Sequence, residues 1–319
     1  MAFSFLFPGQ GAQYSGMFKE HFQEFPEFQE TLSIGEEFYK EDLKSIIFTE
    51  DPRLNDTYYT QPLLMLMSYS LFQVWKKHNC PMPKVAAGHS LGEVSAFLCA
   101  GGFHIKDALR FIKFRATFMI ESKGDTKTKM SAVLGLDSES IKKILADKKA
   151  KFLEAVNLNS PLQTVIAGNT DEIEAVKNEL ADKGAKRVID LAVSVPSHSS
   201  LMNIASTKLK LVLDEFNLAK PSFPVIQNLH AKIPLTTKEI CNNLAEQISN
   251  PVQWVSSMNR LKKYGLDEHI EFGPNKVLSS LAKQNRIKGT FSSLDNIDPR
   301  TCKLLPFSLI LYLKSALVL

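Results

Sequence analysis

The sequence lacks the features that mark several large classes of protein. Its four cysteines, Cys80, Cys99, Cys241 and Cys302, form no C-x-x-C pair and no zinc-ligand spacing, so no metal site is expected. The start, MAFSFLFPGQG, has no basic region, and Pro8 interrupts its apolar run too early for a signal peptide. These absences are typical of a cytoplasmic protein.

Excess charge and long apolar runs are also missing. Lys and Arg number 38 against 34 Asp and Glu, an excess too small to indicate a nucleic acid partner. The most apolar segment, 304–319, is interrupted by Pro306 and Lys314 and falls short of the about 20 residues that span a bilayer. We therefore expect no membrane partner, and we favour a docked terminal helix or strand over an exposed tail that mediates association.

The chain instead alternates short apolar runs with helical patterns. FSFLF (3–7) ends at a Pro-Gly pair, as a buried parallel strand does, and KVAAGHS (84–90) is a second short strand. PLLMLMSYSLFQVWKKH (62–78) predicts a buried helix that begins at Pro62, and residues 105–120 predict an amphipathic helix. This alternation favours an α/β fold with a mostly parallel sheet.

Residues 130–191 show a different pattern of apolar runs. Their apolar and amphipathic runs follow the order β-α-β-β-α-β. That order is typical of the ferredoxin-like split βαβ motif. We therefore predict a compact subdomain inserted into the larger α/β unit.

AAGHSLGEVSAF (86–97) contains the pattern G-x-S-x-G around Ser90. The pattern alone is weak, because about one chain in ten of this length would match it by chance. Here an apolar strand precedes it and a helix-like run follows, which is the setting of a nucleophile elbow with the Leu91 N–H at a helix N-terminus. Ser90 is thus a candidate nucleophile, and an ordinary serine in a glycine-flanked loop is the alternative.

A serine nucleophile needs a base, and the chain has seven histidines. His89 adjoins Ser90, and neighbouring side chains at an elbow point apart, so a structural hydrogen bond suits it better. His198 follows the exit from the predicted subdomain, where a cleft would form. His198 is therefore the candidate base, against the alternative of an ordinary buried or surface histidine.

Arg115 and Gln10 complete the set of candidates. On helix 105–120, Arg115 falls within the apolar arc, so its guanidinium needs a partner. That partner is either an internal carboxylate in a structural ion pair or the carboxylate of a substrate. FPGQGAQ (7–13) fails both nucleotide-loop patterns, but its backbone could present the Gln10 N–H to an oxyanion.

Seven short motifs occur in one order along the chain. They are FPGQGAQ (7–13), TQP (60–62), GHSLGE (88–93), FRATFM (114–119), SVPSHSSLM (194–202), NPVQW (250–254) and FGPNKVL (272–278). In this order they resemble the malonyl-CoA:acyl carrier protein transacylases, in the stand-alone bacterial form that serves fatty-acid synthesis. The resemblance covers about residues 1–295.

The resemblance implies an α/β-hydrolase-like core, residues 1–128 and 194–319, that carries a ferredoxin-like subdomain at 129–193. It also implies a ping-pong transfer in which Ser90 attacks the thioester of malonyl-CoA and His198 takes the proton. Arg115 would grip the malonyl carboxylate. Acyl carrier protein would then receive the malonyl group, and no cofactor is implied, since the CoA thioester is itself a substrate.

The remaining implied roles concern the oxyanion and the base. The N–H groups of Gln10 and Leu91 would hold the oxyanion. A main-chain carbonyl would orient His198 in place of an acidic residue, and the resemblance points to Gln253 for this role. The chain departs from the family at Thr128 and Lys129, where small residues are common, and after about Asp295.

Three alternatives remain open on the sequence. A discrete acyltransferase that loads a polyketide synthase carrier would share this chemistry, and the small Ser197 before the base leaves methylmalonyl in question. A serine hydrolase or thioesterase would have no use for Arg115. A scaffold without activity would not need the intact set of candidate residues.

Overall fold

The structure is a computed structural model that describes residues 2–148, 150–295, 298 and 300, and within them the chain forms two sheets surrounded by helices. The strands are β1 (Phe3–Phe7), β2 (Val85–Gly88), β3 (Thr128–Leu134), β4 (Leu153–Ser160), β5 (Gln163–Asn169), β6 (Arg187–Asp190), β7 (Val225–Ile226), β8 (Glu268–Glu271) and β9 (Thr290–Ser293). The helices are α1 (Lys19–Glu24), α2 (Pro26–Tyr39), α3 (Leu43–Phe48), α4 (Thr57–Lys77), α5 (Leu91–Cys99), α6 (Ile105–Lys123), α7 (Ser138–Asp147), α8 (Thr170–Asp182), α9 (Asn203–Leu211), α10 (Thr237–Gln247), α11 (Trp254–Lys262) and α12 (Val277–Gln284).

The larger sheet has five parallel strands in the order β7-β2-β1-β8-β9. Its central strand, β1, is buried along its whole length, because helices cover both faces of the sheet. The predicted strands at 3–7 and 84–90 are thus confirmed as β1 and β2. Parallel pairing brings the carboxyl ends of β1 and β2 side by side, with Phe7 opposite Gly88.

The helix predicted to begin at Pro62 begins five residues earlier, at Thr57. The side chain of Asp56 accepts a hydrogen bond from the Tyr58 N–H and caps the first turn. Pro62 lies inside the helix, where its missing N–H falls just beyond the first turn. The prediction was wrong here because the aspartate cap was a better start signal than the proline.

The second sheet has four antiparallel strands in the order β4-β5-β3-β6. In chain order its elements are β3, α7, β4, β5, α8 and β6, which is the predicted β-α-β-β-α-β. Side chains of α7 and α8, among them Ile141 and Ile173, pack with Ile166 of the sheet. The α/β fold with a parallel sheet and a separate ferredoxin-like subdomain is therefore confirmed, and the exact boundaries at 129 and 193 stay a prediction.

The edge strand β4 fastens the small sheet to the core. The main chain of Val252 donates to Val156 O (2.9 Å) and accepts from the Leu158 N–H (3.0 Å). Lys129, which departs from the family pattern, lies at the other side of this sheet and pairs with Asp190 (2.8 Å). The small sheet is thus held against the segment between α10 and α11.

In the part of the chain that the structure describes, no helix has the length and apolar character needed to cross a membrane. The same part contains no group of three or more His, Cys, Asp or Glu residues suited to a metal ion. The apolar segment 304–319, for which a docked helix or strand was predicted, lies outside the described residues.

Candidate active site

Ser90 lies at the sharp turn between β2 and α5. Its backbone is in an unusual region, with φ 54° and ψ −113°. A Cβ on Gly88 would lie 2.0 Å from the main chain of Gly92, and a Cβ on Gly92 would lie 1.9 Å from the Phe7 carbonyl oxygen. Only glycine fits at either position, so the two glycines of G-x-S-x-G are what allow this strained turn.

His198 contacts Ser90 directly. Its Nε2 lies 2.6 Å from Ser90 Oγ, and its Nδ1 lies 2.8 Å from the carbonyl oxygen of Gln247. A carbonyl can only accept, so Nδ1 carries the hydrogen and Nε2 is left to accept the Ser90 O–H. The side chain is only 1% exposed, and burial, followed by the positive charge of Arg115, lowers the pKa of His198 to about 3.

The carbonyl that orients His198 belongs to Gln247, which corrects the prediction for Gln253. The His198 N–H bonds to Ile248 O (2.8 Å), so the loop carrying the histidine lies against the end of α10. Carbonyls in the last turn of a helix have no partner within the helix, and that of Gln247 is available for this reason. Gln253 instead occupies the N-cap position of α11, and its N–H donates to Asn228 O (3.0 Å).

Arg115 is buried, with 2% of its surface exposed. Its guanidinium donates to Gln61 Oε1, to Gln247 Oε1 (3.2 Å) and to Ser90 Oγ (3.2 Å). Within the described residues no carboxylate forms a salt bridge with it, and its Nε has no hydrogen-bond partner. Burial lowers the pKa of Arg115 to about 10, so it stays charged at neutral pH. No direct salt bridge therefore accounts for this arginine, although the buried carboxylate of Glu93 acts through space to raise its pKa.

The two predicted oxyanion donors lie after the adjacent strands β1 and β2. Leu91 is the first residue of α5, and Gln10 follows β1 in a turn. Neither N–H bonds to another group among the residues that the structure describes. A Cβ on Gly9 would lie 2.4 Å from the His89 carbonyl oxygen, so the two loops are packed backbone to backbone. Two unused N–H donors near one serine suit an oxyanion.

A cleft of about 520 Å³ opens beside these loops, between the two sheets. Gln10 and His89 form one end, and residues of the antiparallel sheet and α12 form its walls. His89 Nε2 is 2.8 Å from Asn159 Oδ1, so this histidine points away from Ser90 Oγ and into a structural contact. Ser90 itself does not line this cleft, which adjoins the elbow through Gln10 and His89.

Comparison with known proteins identifies the family. Residues 4–299 match the acyl transferase domain family. The malonyl CoA-acyl carrier protein transacylase of Salmonella typhimurium is 38% identical over 285 residues, which cover 88% of this chain and 92% of the relative. The chain belongs to the malonyl-CoA:acyl carrier protein transacylase family. The predicted family and the predicted acyltransferase activity are thereby confirmed.

Solved structures agree with this assignment. An acyl carrier protein S-malonyltransferase from Vibrio cholerae is 34% identical and superposes with a TM-score of 0.88, over 93% of this chain and 98% of the relative. A malonyl-transacylase solved with its type II polyketide synthase acyl carrier protein is 35% identical, with a TM-score of 0.89 over 95% and 99% of the two chains. Both members of the transacylase family share the fold described above.

Four residues of this transacylase contact the site although the sequence patterns assigned them no role. They are Gln61, Glu93, Asn228 and Gln247. Asn228 braces the elbow, since its Oδ1 accepts from the Ser90 N–H (2.7 Å) and its Nδ2 donates to Gly88 O (2.6 Å). One sequence signal could have indicated Glu93. It follows the elbow in a mostly apolar helix, so burial of its carboxylate was to be expected.

The depressed pKa of His198 has a measurable consequence for the transacylase. We expect the ring to stay neutral from pH 8 down to at least about pH 5, because burial and Arg115 both disfavour its charged form. Ring ¹⁵N chemical shifts of histidine-labelled protein will show this, with His198→Gln assigning the signal. The unfolded chain takes up this proton near pH 6.5, so the histidine lowers stability as the pH falls from there toward 3. A ring that titrates near pH 6.5 would contradict the buried geometry.

Proposed function

We propose that this enzyme moves a malonyl group from malonyl-CoA to the phosphopantetheine thiol of acyl carrier protein through a malonyl ester on Ser90, and so supplies fatty-acid synthesis. One observation carries the proposal. Arg115 is a buried cation with no salt bridge to a carboxylate among the described residues, and its Nη2 lies 3.2 Å from Ser90 Oγ. An acyl group on that oxygen would place a terminal carboxylate beside the guanidinium.

The first half-reaction forms the ester. Ser90 Oγ attacks the thioester carbonyl carbon while His198 Nε2 accepts its proton. The N–H groups of Gln10 and Leu91 stabilise the oxyanion, each by a few kcal/mol in sites of this kind. The carbon–sulfur bond then breaks, and the CoA thiolate leaves with the proton from His198.

The second half-reaction runs the same steps in reverse on a new thiol. His198 takes the proton of the phosphopantetheine thiol, and the sulfur attacks the carbonyl carbon of the malonyl ester. The ester bond to Ser90 breaks, and Oγ regains a proton from His198. Both reactions begin from a neutral imidazole, the form that burial and Arg115 favour at His198.

Arg115 also accounts for the choice of acyl group. A malonyl carboxylate can accept two parallel hydrogen bonds from the guanidinium. An acetyl or longer alkyl chain would remove water from the guanidinium without supplying a hydrogen-bond acceptor, which is costly for a buried charge. This selectivity speaks against a general esterase or thioesterase.

A second candidate is an acyltransferase that loads a type II polyketide synthase carrier. It is favoured by the relative solved with such a carrier, which is as similar to this chain as the Vibrio cholerae enzyme is. The chemistry at Ser90 would be the same, and only the carrier protein would differ. The predicted cytoplasmic location stays a prediction for either candidate.

Mass spectrometry of the intact protein tests the proposal. After incubation with equal amounts of malonyl-, methylmalonyl- and acetyl-CoA, we expect a malonyl adduct on Ser90 and little acetyl adduct, while the methylmalonyl adduct measures the selectivity that Ser197 leaves in question. Adding acyl carrier protein from a fatty-acid or a polyketide system should then discharge the ester onto the preferred carrier. A dominant acetyl adduct, or no adduct, would contradict the role proposed for Arg115.

A further inference from the structure

Glu93 is a carboxylate buried beneath the elbow, with 1% of its surface exposed. Its Oε2 accepts from the Asn228 N–H (2.8 Å) and from Gln247 Nε2 (2.8 Å). Its Oε1 accepts from Gln227 Nε2 (3.0 Å). Burial raises the pKa of Glu93 to about 7, while these three donors and Arg115 act to lower it. An environment made only of donors suits an acceptor, and the mechanism above does not use this carboxylate.

Gln247 links Glu93 to Ser90, Arg115 and His198. Its Nε2 donates to Glu93 and to the main-chain oxygen of Ser90 (3.0 Å). Its Oε1 accepts from Arg115 Nη2 (3.2 Å), and its own main-chain oxygen accepts from His198. One side-chain amide therefore lies between the buried carboxylate and the buried guanidinium.

The direction of that amide decides what Arg115 meets. A glutamine amide has two similar ends, and only its surroundings select which end faces which way. The main-chain N–H of Asn228 makes Glu93 Oε2 an acceptor, so Gln247 Nε2 faces that oxygen and Oε1 then faces the guanidinium. A turned amide would present N–H groups to Arg115, which has no acceptor for them, and a buried donor would be left unpaired.

We propose that Glu93 is a positioning residue that acts through the Gln247 amide to hold Arg115 in place for the malonyl carboxylate. The proposal rests on the proposed function, since it assigns the carboxylate of the substrate to Arg115. It predicts that Glu93 governs the preference for malonyl over acetyl groups. Acetyl transfer, which makes no use of the guanidinium, should depend on Glu93 much less.

Substitutions at Glu93 separate this role from general support of the fold. In Glu93→Gln, the new side-chain oxygen should face the Asn228 N–H, because that main-chain donor cannot turn. The same oxygen then also accepts a hydrogen bond from Gln247. We expect it to retain the malonyl preference. Glu93→Met removes both acceptor oxygens, and kcat/KM for malonyl-CoA should fall by about 10- to 100-fold while the value for acetyl-CoA changes much less. If Glu93→Met does not fold, Glu93→Ser takes its place, because the smaller serine leaves room for water beside the three donors.

A double-mutant cycle tests the path through Gln247. Gln247→Met removes the amide and leaves the main-chain oxygen that contacts His198, so it should cause the same loss of malonyl preference. If Glu93 acts through Gln247, the double variant will be no worse than the poorer single variant. Multiplied effects, or an unchanged preference in folded Gln247→Met, would overturn the proposal.

Two controls keep the outcomes distinct. Glu271→Gln alters another buried carboxylate, which accepts from Ser279 Oγ (2.7 Å) and the Leu278 N–H (2.8 Å), and should leave the malonyl preference unchanged. A shift of preference in this variant would mean that loss of stability alone changes selectivity, which would overturn the inference. The wild-type enzyme must form the malonyl ester on Ser90. If it does not, the proposed function fails, whereas an additive cycle in an enzyme that does form it removes only the role of Glu93.

Discussion

Ser90→Ala should form no malonyl-enzyme when it is mixed with labelled malonyl-CoA, and transfer should fall by at least about 10⁴-fold. The reason is geometric, because Ser90 Oγ is the oxygen that lies 2.6 Å from His198 Nε2 and 3.2 Å from Arg115 Nη2. Removal of this oxygen leaves His198 and Arg115 in place but no atom to carry the acyl group. Denaturing gel electrophoresis followed by counting of the label measures the ester directly.

Ser95→Ala is the matched control. Ser95 lies on the same helix, α5, is buried, and its Oγ has no hydrogen-bond partner in the described part of the chain. It should keep both the label and the transfer rate. Label that persists in Ser90→Ala would place the nucleophile on another residue and remove the ping-pong scheme in its present form. Thermal unfolding of both variants excludes loss of fold as the cause.

The elbow was predictable because its causes are local. Gly88 and Gly92 are forced by backbone contacts within one turn and with β1, and an apolar strand and a helical run flank them. The order of elements in the small sheet was predictable for the same reason, because short apolar and amphipathic runs along 130–191 indicate each strand and helix. Such features need no knowledge of distant residues, so the sequence patterns predicted them correctly.

The support around the elbow was not predictable in the same way. Glu93 contacts Asn228 and Gln247, which lie 135 and 154 residues away in the sequence. A local hydrophobic pattern carries no information about contacts between residues so far apart. The Gln253 prediction failed for the same reason, since the carbonyl that reaches His198 depends on where α10 ends. For Arg115 the sequence indicated that a partner was needed, and only the structure showed that no described carboxylate forms a salt bridge with it.

Arg115→Ala should lower kcat/KM for malonyl-CoA by about 10²- to 10⁴-fold, which is the usual range when a buried charged recognition contact is lost. Activity toward acetyl-CoA should stay the same or rise. In the variant, binding of an alkyl chain no longer desolvates a buried charge, so the cost of binding it is lower. The ratio of the two kcat/KM values, measured by release of free CoA thiol, is the informative quantity.

Arg110→Ala supplies the comparison for Arg115→Ala. Arg110 lies on the same helix, α6, but is half-exposed and pairs with Glu215, so its loss should cost little and leave the ratio unchanged. An unchanged ratio in folded Arg115→Ala would make the arginine structural, despite the absence of a salt-bridge partner among the described residues. A reversed ratio would show that one buried cation, with no salt bridge to a carboxylate in the described residues, determines which acyl group Ser90 carries.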